Sequence, residues 1–189
     1  MPRVTLVGYR GTGKSTVASL LAGSLGCEWV DADVVLEGRL GMTIATLVHE
    51  RGEAAFRDAE AAILHDLLGA CTGVLATGGG AVLRQGNRDL LRRIGRPVVW
   101  LTAPADVVRA RLASDPLTRE RRPALSGATT SRGDPLAEVA AALADREALY
   151  REVADAVFDT AGEPPPVVTG RIAAWLSGSG PDAWREGER

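Results

Sequence analysis

The sequence predicts an α/β fold, a mostly parallel sheet of about five strands with helices on both faces. Three observations carry that expectation. Short apolar runs alternate with stretches of helical period along the chain. The runs lack polar alternation, as strands buried on both faces do. They also stop at glycines or aspartates: Gly8, Asp31, Asp33 and Gly78-Gly79-Gly80 all follow apolar strands. Ligands of such sheets bind at the carboxyl ends of the strands, so these positions mark the candidate site.

Val4 to Val7 reads as the first buried strand. The segment Gly8 to Gly13 leads into a helix over 14–25, with Val17, Leu20, Leu21 and Ser24 along one side and Gly26 ending it. A second strand covers Glu28 to Val30 and stops at Asp31-Ala32-Asp33. Helices follow over 34–40 and 43–50, separated by Gly41, and a longer one over 53–69 starts after Gly52. Val74 to Thr77 is the third strand, ended by the triple glycine. A helix over 87–94 precedes the strand Pro97 to Leu101, and Pro104 suits the first turn of a helix over 104–113. Residues 114–134 have no convincing period and read as a mobile excursion. A helix over 135–153, a strand from Ala156 to Asp159 and a helix from Pro164 to Leu176 complete the order. Residues 177–189 are polar and glycine-rich and read as a tail.

The chain's 189 residues fit one domain, expected over 1–176, and 46% hydrophobic with 24% charged residues is a globular composition. A net charge of −2 supplies no basic field for nucleic acid. No apolar run approaches the ~20 residues that span a bilayer, and no signal-like n-region and h-region open the chain. The expectation is a cytoplasmic monomer with no membrane or nucleic-acid partner. Cys27 and Cys71 follow no metal or CxxC spacing and read as reduced thiols. His49 and His65 lack metal-ligand partners at helical spacing, while Trp29 and Trp100, in strands, read as core or near-core. Of the 22 basic residues only Lys14 is lysine. It stands where a compact ammonium fits and a planar guanidinium is too large.

Lys14 belongs to Gly8-Tyr9-Arg10-Gly11-Thr12-Gly13-Lys14-Ser15, which satisfies GxxxxGK[ST] in full. This is a P-loop. Its glycines turn backbone N–H groups inward around a phosphate, and the following helix adds its positive end. Gly11, Thr12, Gly13, Lys14, Ser15 and Thr16 are the expected nucleotide contacts, with Lys14 on the β- and γ-phosphates and the Ser15 hydroxyl on Mg²⁺. Asp31 and Asp33 lie two apart. If the strand's extended geometry persists, both carboxylates point one way, one toward a metal and one toward a substrate hydroxyl. The alternative is a pair of helix-capping aspartates.

Asp31-Ala32-Asp33, Gly41 to Ala45, Gly52-Glu53, Phe56-Arg57-Asp58-Ala59-Glu60, Gly78 to Val82, Arg122 to Leu125 and Arg146 to Tyr150 occur in that order. Together they resemble the shikimate kinase pattern from about residue 3 to 160. The aspartate pair, FRxxE, GGG and RxxLY are more specific than the P-loop. The resemblance implies a nucleoside-monophosphate-kinase-like sandwich with a lid over 114–134. It implies ATP and shikimate as substrates, Mg²⁺ as cofactor, and transfer to the shikimate 3-hydroxyl in aromatic amino-acid biosynthesis. By that resemblance Asp33, Arg57, Gly79 and Arg146 hold shikimate, and Asp31, through water, joins Ser15 at the metal. Lys14, Asp33 and the lid residue Arg122 are the catalytic set, and Arg111 packs on adenine. A second adenine arginine, frequent in the family after the last strand, has no counterpart in 159–164.

The physical reading agrees, because a hydroxylated cyclic acid needs guanidinium forks for its carboxylate. Plainer readings stand beside it. Glu53 and Arg57 have the spacing of a surface ion pair, and Glu60 that of a partner orienting Arg57. Arg146 between Asp145 and Glu147 fits a solvated helix face, and Arg119 and Arg121 fit solvated charges. A kinase of another sugar acid such as gluconate, and a catalytically silent nucleotide-binding relative, are the rival functions.

Overall fold

The computed structural model describes residues 1–114 and 135–178. In chain order these form β1 (Val4–Val7), α1 (Lys14–Leu25), β2 (Trp29–Asp31), α2 (Ala32–Leu40), α3 (Ile44–Ala70) and β3 (Val74–Ala76). A 3-10 turn (Ala81–Leu83), α4 (Gln85–Ile94), β4 (Val98–Thr102) and α5 (Ala105–Ser114) follow. After residue 134 come α6 (Pro135–Val153), β5 (Ala156–Asp159) and α7 (Pro165–Leu176). The five strands form one sheet in the order β2-β3-β1-β4-β5. Every neighbouring pair is parallel. The predicted α/β sheet is thus present with its strand count.

β1 is central, flanked by β3 and β4, and all four of its residues are buried. Side chains alternate across a strand, and here the alternation divides two cores. Val4 and Leu6 face α1 and α7, meeting Val17, Leu21, Val168 and Ile172. Val7 faces the opposite layer, with Phe56, Leu64 and Leu68 of α3, Leu91 of α4 and Tyr150 of α6. A third, smaller cluster joins Tyr9 to Val108 of α5 and Val139 of α6, beside the strand ends.

The structure corrects three local expectations. The buried face of α1 is Val17, Ala18, Leu21 and Ala22. Leu20 points outward, 39% exposed, because residues 17/18/21/22 form the stripe facing the sheet. Trp29 is 37% exposed rather than core, since β2 is an edge strand with helices on only part of its surface. The helix after β2 starts at Ala32, two residues before the predicted start. The predicted break at Gly52 is real: α3 kinks there, at φ 81 and ψ 168.

Candidate active site

The phosphate loop runs from the end of β1 to the start of α1. A Cβ on Gly8 would stand 2.3 Å from the Leu101 carbonyl oxygen of β4, so only glycine lets the chain leave the sheet at this point. Gly13 caps α1 in the left-handed region, at φ 87. Lys14 is 8% exposed, and its Nζ donates to the carbonyls of Gly8 (2.8 Å) and Tyr9 (2.9 Å). The Thr12 hydroxyl donates to the same Tyr9 carbonyl at 2.7 Å. Two side chains of the motif therefore hold the loop in shape around its own lysine. Gly11, Thr12, Gly13, Lys14, Ser15 and Thr16 line one long pocket, as the motif predicts, together with Asp31 and Arg111.

Ser15 Oγ donates to Asp31 Oδ2 at 2.5 Å. A hydroxyl and a carboxylate meeting beside a phosphate loop are hard oxygen donors, a set that suits Mg²⁺ better than a soft metal. Among the described residues no group of three or more His, Cys, Asp or Glu gathers as a metal site. A cation at Ser15 and Asp31 would therefore complete its shell with nucleotide oxygens and water. At the pocket's other end Arg111 spans from the loop to the last strand. Its Nη1 donates to Gly11 O (3.3 Å) and Thr160 Oγ1 (2.9 Å), and its Nη2 to Thr160 O (2.6 Å). Thr160, Glu163 and Pro165 line the same pocket.

The aspartate pair works differently from the extended-strand reading. Asp31 is extended, at φ −101 and ψ 118, and caps α2, its carboxylate accepting from the Asp33 backbone N–H at 3.0 Å. Asp33 sits inside the first helical turn. The two carboxylates do not share a strand face; the cap turns the chain between them. Asp31 faces Ser15, whereas Asp33, 6% exposed, lines both the phosphate pocket and a second, smaller one. That position joins the two pockets.

The second pocket is lined by Asp33, Arg57, Glu60, Gly79, Arg146 and Tyr9, among others. Arg57 rises from α3 and is 8% exposed. Glu60 accepts from its Nη1 at 2.8 Å and Glu53 from its Nη2 at 3.2 Å, while the Phe56 ring lies 4.8 Å from Cζ. The Glu53 pair expected from spacing exists, but it helps to fix a buried guanidinium rather than decorating a surface. Its remaining N–H groups stay available for a carboxylate.

The triple glycine makes room for these groups. A Cβ on Gly78 would meet Glu60 Oε1 at 2.6 Å and Asp33 Oδ1 at 2.9 Å, and one on Gly80 would meet Arg57 Nη1 at 1.9 Å. Gly79 packs against the phosphate loop, its hypothetical Cβ 3.0 Å from Arg10 N. The Gly79 carbonyl accepts from Tyr150 Oη at 2.6 Å and, at 3.5 Å, from Arg146 Nη1. Burial pushes the Tyr150 phenol's pKa up, so it stays a neutral donor. Arg146 is half-buried over the Tyr9 ring, not on a solvated helix face.

The structure thus brings together every predicted site residue among those described. Arg122, with Arg119 and Arg121, lies outside them. Sequence reasoning missed Tyr9, whose ring faces the second pocket, and Arg88. Arg88, 9% exposed, donates to the Val82 and Leu83 carbonyls after the triple glycine and to Glu152 of α6 at 2.7 Å. The 64-residue separation of Arg88 and Glu152 left no local signal.

The family model described as shikimate kinase matches residues 10–177. A shikimate kinase of Oleidesulfovibrio alaskensis is 42% identical over 95% of this chain and 100% of its own length. One of Halorhodospira halophila is 43% identical over 93% of this chain and 94% of its own. Among solved structures, the shikimate kinase of Acinetobacter baumannii in complex with shikimate superposes with a TM-score of 0.82. It is 32% identical, and the match covers 93% of this chain and 92% of that one. A P-loop, a buried FRxxE arginine and a triple-glycine turn in one parallel sheet, matched over this length, place the chain in the shikimate kinase family.

Proposed function

We propose that the chain transfers the γ-phosphoryl group of ATP to the 3-hydroxyl of shikimate, giving shikimate 3-phosphate and ADP. The observation that carries this is Asp33. It is a buried carboxylate lining both the phosphate pocket and the pocket that holds Arg57 and Arg146. A phosphoryl donor and a carboxylate-bearing alcohol bound in these pockets meet at its side chain. The membership of the family and the likeness to a structure solved with shikimate support the same acceptor.

Each residue then has a physical task. Arg57 and Arg146 take the acceptor carboxylate, each charge-assisted hydrogen bond contributing about 1.5–3 kcal/mol. The Gly79 backbone approaches the ring without a Cβ in the way. Asp33 accepts a hydrogen bond from the attacking hydroxyl and aims its oxygen at the γ-phosphorus. That oxygen bonds to phosphorus as the bond to the bridging oxygen breaks and ADP leaves, and the hydroxyl proton passes along its hydrogen bond to Asp33 and on to solvent. The backbone N–H groups from Gly11 to Thr16, with Lys14, hold the phosphates and offset the charge that develops between them. Ser15 and, through water, Asp31 would hold Mg²⁺, which would supply charge neutralisation on the phosphates. Arg111 packs on adenine, and Arg122, from the 114–134 segment, brings a further cation to the transferring group. Residues 1–176 act as one kinase domain, and a monomeric cytoplasmic enzyme of aromatic amino-acid biosynthesis is the matching setting. Among the described residues no helix is long and apolar enough to cross a membrane.

A coupled ADP-release assay with shikimate, with gluconate and with no acceptor, each with and without Mg²⁺, tests the proposal. ADP should form only with shikimate and Mg²⁺. Acceptor-independent release, or none with shikimate, would overturn it.

A further inference from the structure

Tyr9 stands at the x position directly after the first glycine of the motif, where the phosphate loop itself asks for no side chain. Its carbonyl is fixed from two sides, by Lys14 Nζ at 2.9 Å and Thr12 Oγ1 at 2.7 Å. Its side chain is 6% exposed, packed with Val108 of α5 and Val139 of α6. Tyr9 lines the second pocket, and two guanidinium carbons lie over its ring, that of Arg146 at 5.1 Å and that of Arg10 at 5.9 Å from the centroid. Among the described residues Arg146 interacts with the Tyr150 phenol and makes a long contact, 3.5 Å, to the Gly79 carbonyl. A half-buried arginine on a long stem has many rotamers, and a rigid aromatic face restricts them.

We infer that Tyr9 is a positioning residue for the acceptor, its ring holding the Arg146 guanidinium at the pocket while its backbone belongs to the phosphate loop. The inference rests on the reading of the second pocket as the acceptor site. The loop that cradles the nucleotide thereby also sets the cation that receives the acceptor's carboxylate. A leucine at position 9 would keep the fixed carbonyl and the apolar packing but remove the aromatic face.

The test is Tyr9→Leu and Tyr9→Phe, with shikimate and ATP kinetics and a thermal melt for each, plus a cycle with Arg146→Gln. Tyr9→Leu should raise the shikimate KM about three- to thirtyfold while the ATP KM stays within about twofold. Tyr9→Phe, which keeps the ring, should restore the shikimate KM to within about twofold. In the Arg146→Gln background Tyr9→Leu should add little, because the partner is already gone. An unchanged shikimate KM in Tyr9→Leu would overturn the inference. So would a parallel rise of both KM values with a lowered Tm, which marks a loop-packing role, or full additivity with Arg146→Gln. A wild-type protein that does not phosphorylate shikimate would sink the functional reading instead, so the two failures are distinguishable.

Discussion

Gly80→Ala is a one-carbon perturbation aimed at a single guanidinium. Gly80 adopts φ −101 and ψ 1, a conformation alanine tolerates, so the backbone itself offers no objection. The added Cβ, however, would lie 1.9 Å from Arg57 Nη1 and 2.6 Å from its Cζ. Carbon and nitrogen rest about 3.5 Å apart without bonding, so the guanidinium must retreat by roughly 1.5 Å. The retreat is resisted by Glu60 at 2.8 Å and Glu53 at 3.2 Å. A charge-assisted hydrogen bond stretched that far is lost, at about 1.5–3 kcal/mol for each contact to the acceptor carboxylate. The expected result is a shikimate KM raised ten- to a hundredfold, with the ATP KM within about twofold. Coupled ADP release, titrating each substrate in turn, measures both. A shikimate KM within twofold of wild type would refute the claim that the third glycine exists to seat Arg57.

Other outcomes follow from the same geometry. Asp33→Asn should lower kcat by about a hundredfold or more while ATP affinity, read by equilibrium binding, stays within twofold; lost ATP binding would place Asp33 at the metal instead. Arg88→Met removes the donor that ties the Val82 and Leu83 carbonyls to Glu152 of α6. With Glu152 30% exposed, the loss should be about 2 kcal/mol, a fall in Tm of roughly 4–8 °C by calorimetry. Tyr150→Phe deletes a 2.6 Å hydrogen bond to Gly79 and should cost about 1 kcal/mol at pH 8. Burial raises the folded phenol above its usual 10.0. The stability it contributes is therefore present below pH 10 and lost as pH climbs above it, because only the unfolded chain ionises there. The wild-type advantage over Tyr150→Phe, measured by urea unfolding, should shrink between about pH 10 and 11; a constant difference would contradict it.

What could be read without coordinates was what local physics decides. The phosphate loop is a contiguous backbone device, and its spacing alone placed Gly11 to Thr16. Strand ends were legible because apolar runs stop there, so Asp31, Asp33 and the triple glycine were found. The turn between the aspartates was misjudged by two residues, since capping by Asp31 and strand extension compete within one short segment. The capping alternative fits Asp31, whereas Asp33 lies inside the helix. Spacing alone could not tell whether Arg57 pairs on a surface or is buried, because that depends on the distant Gly80 turn closing over it. The exposure of Trp29 follows from strand order, which no local pattern encodes. Tyr9 and Arg88 were invisible for a related reason: each acts on a partner more than 60 residues away.

The central claim is that the pocket of Arg57, Asp33 and Arg146 accepts shikimate rather than gluconate. Its most direct test is a competition: enzyme, ATP and Mg²⁺ with equimolar shikimate and gluconate, the products resolved by phosphorus NMR. The account predicts a single new phosphomonoester, on the shikimate 3-hydroxyl. Phosphogluconate, or inorganic phosphate in place of either ester, would contradict it.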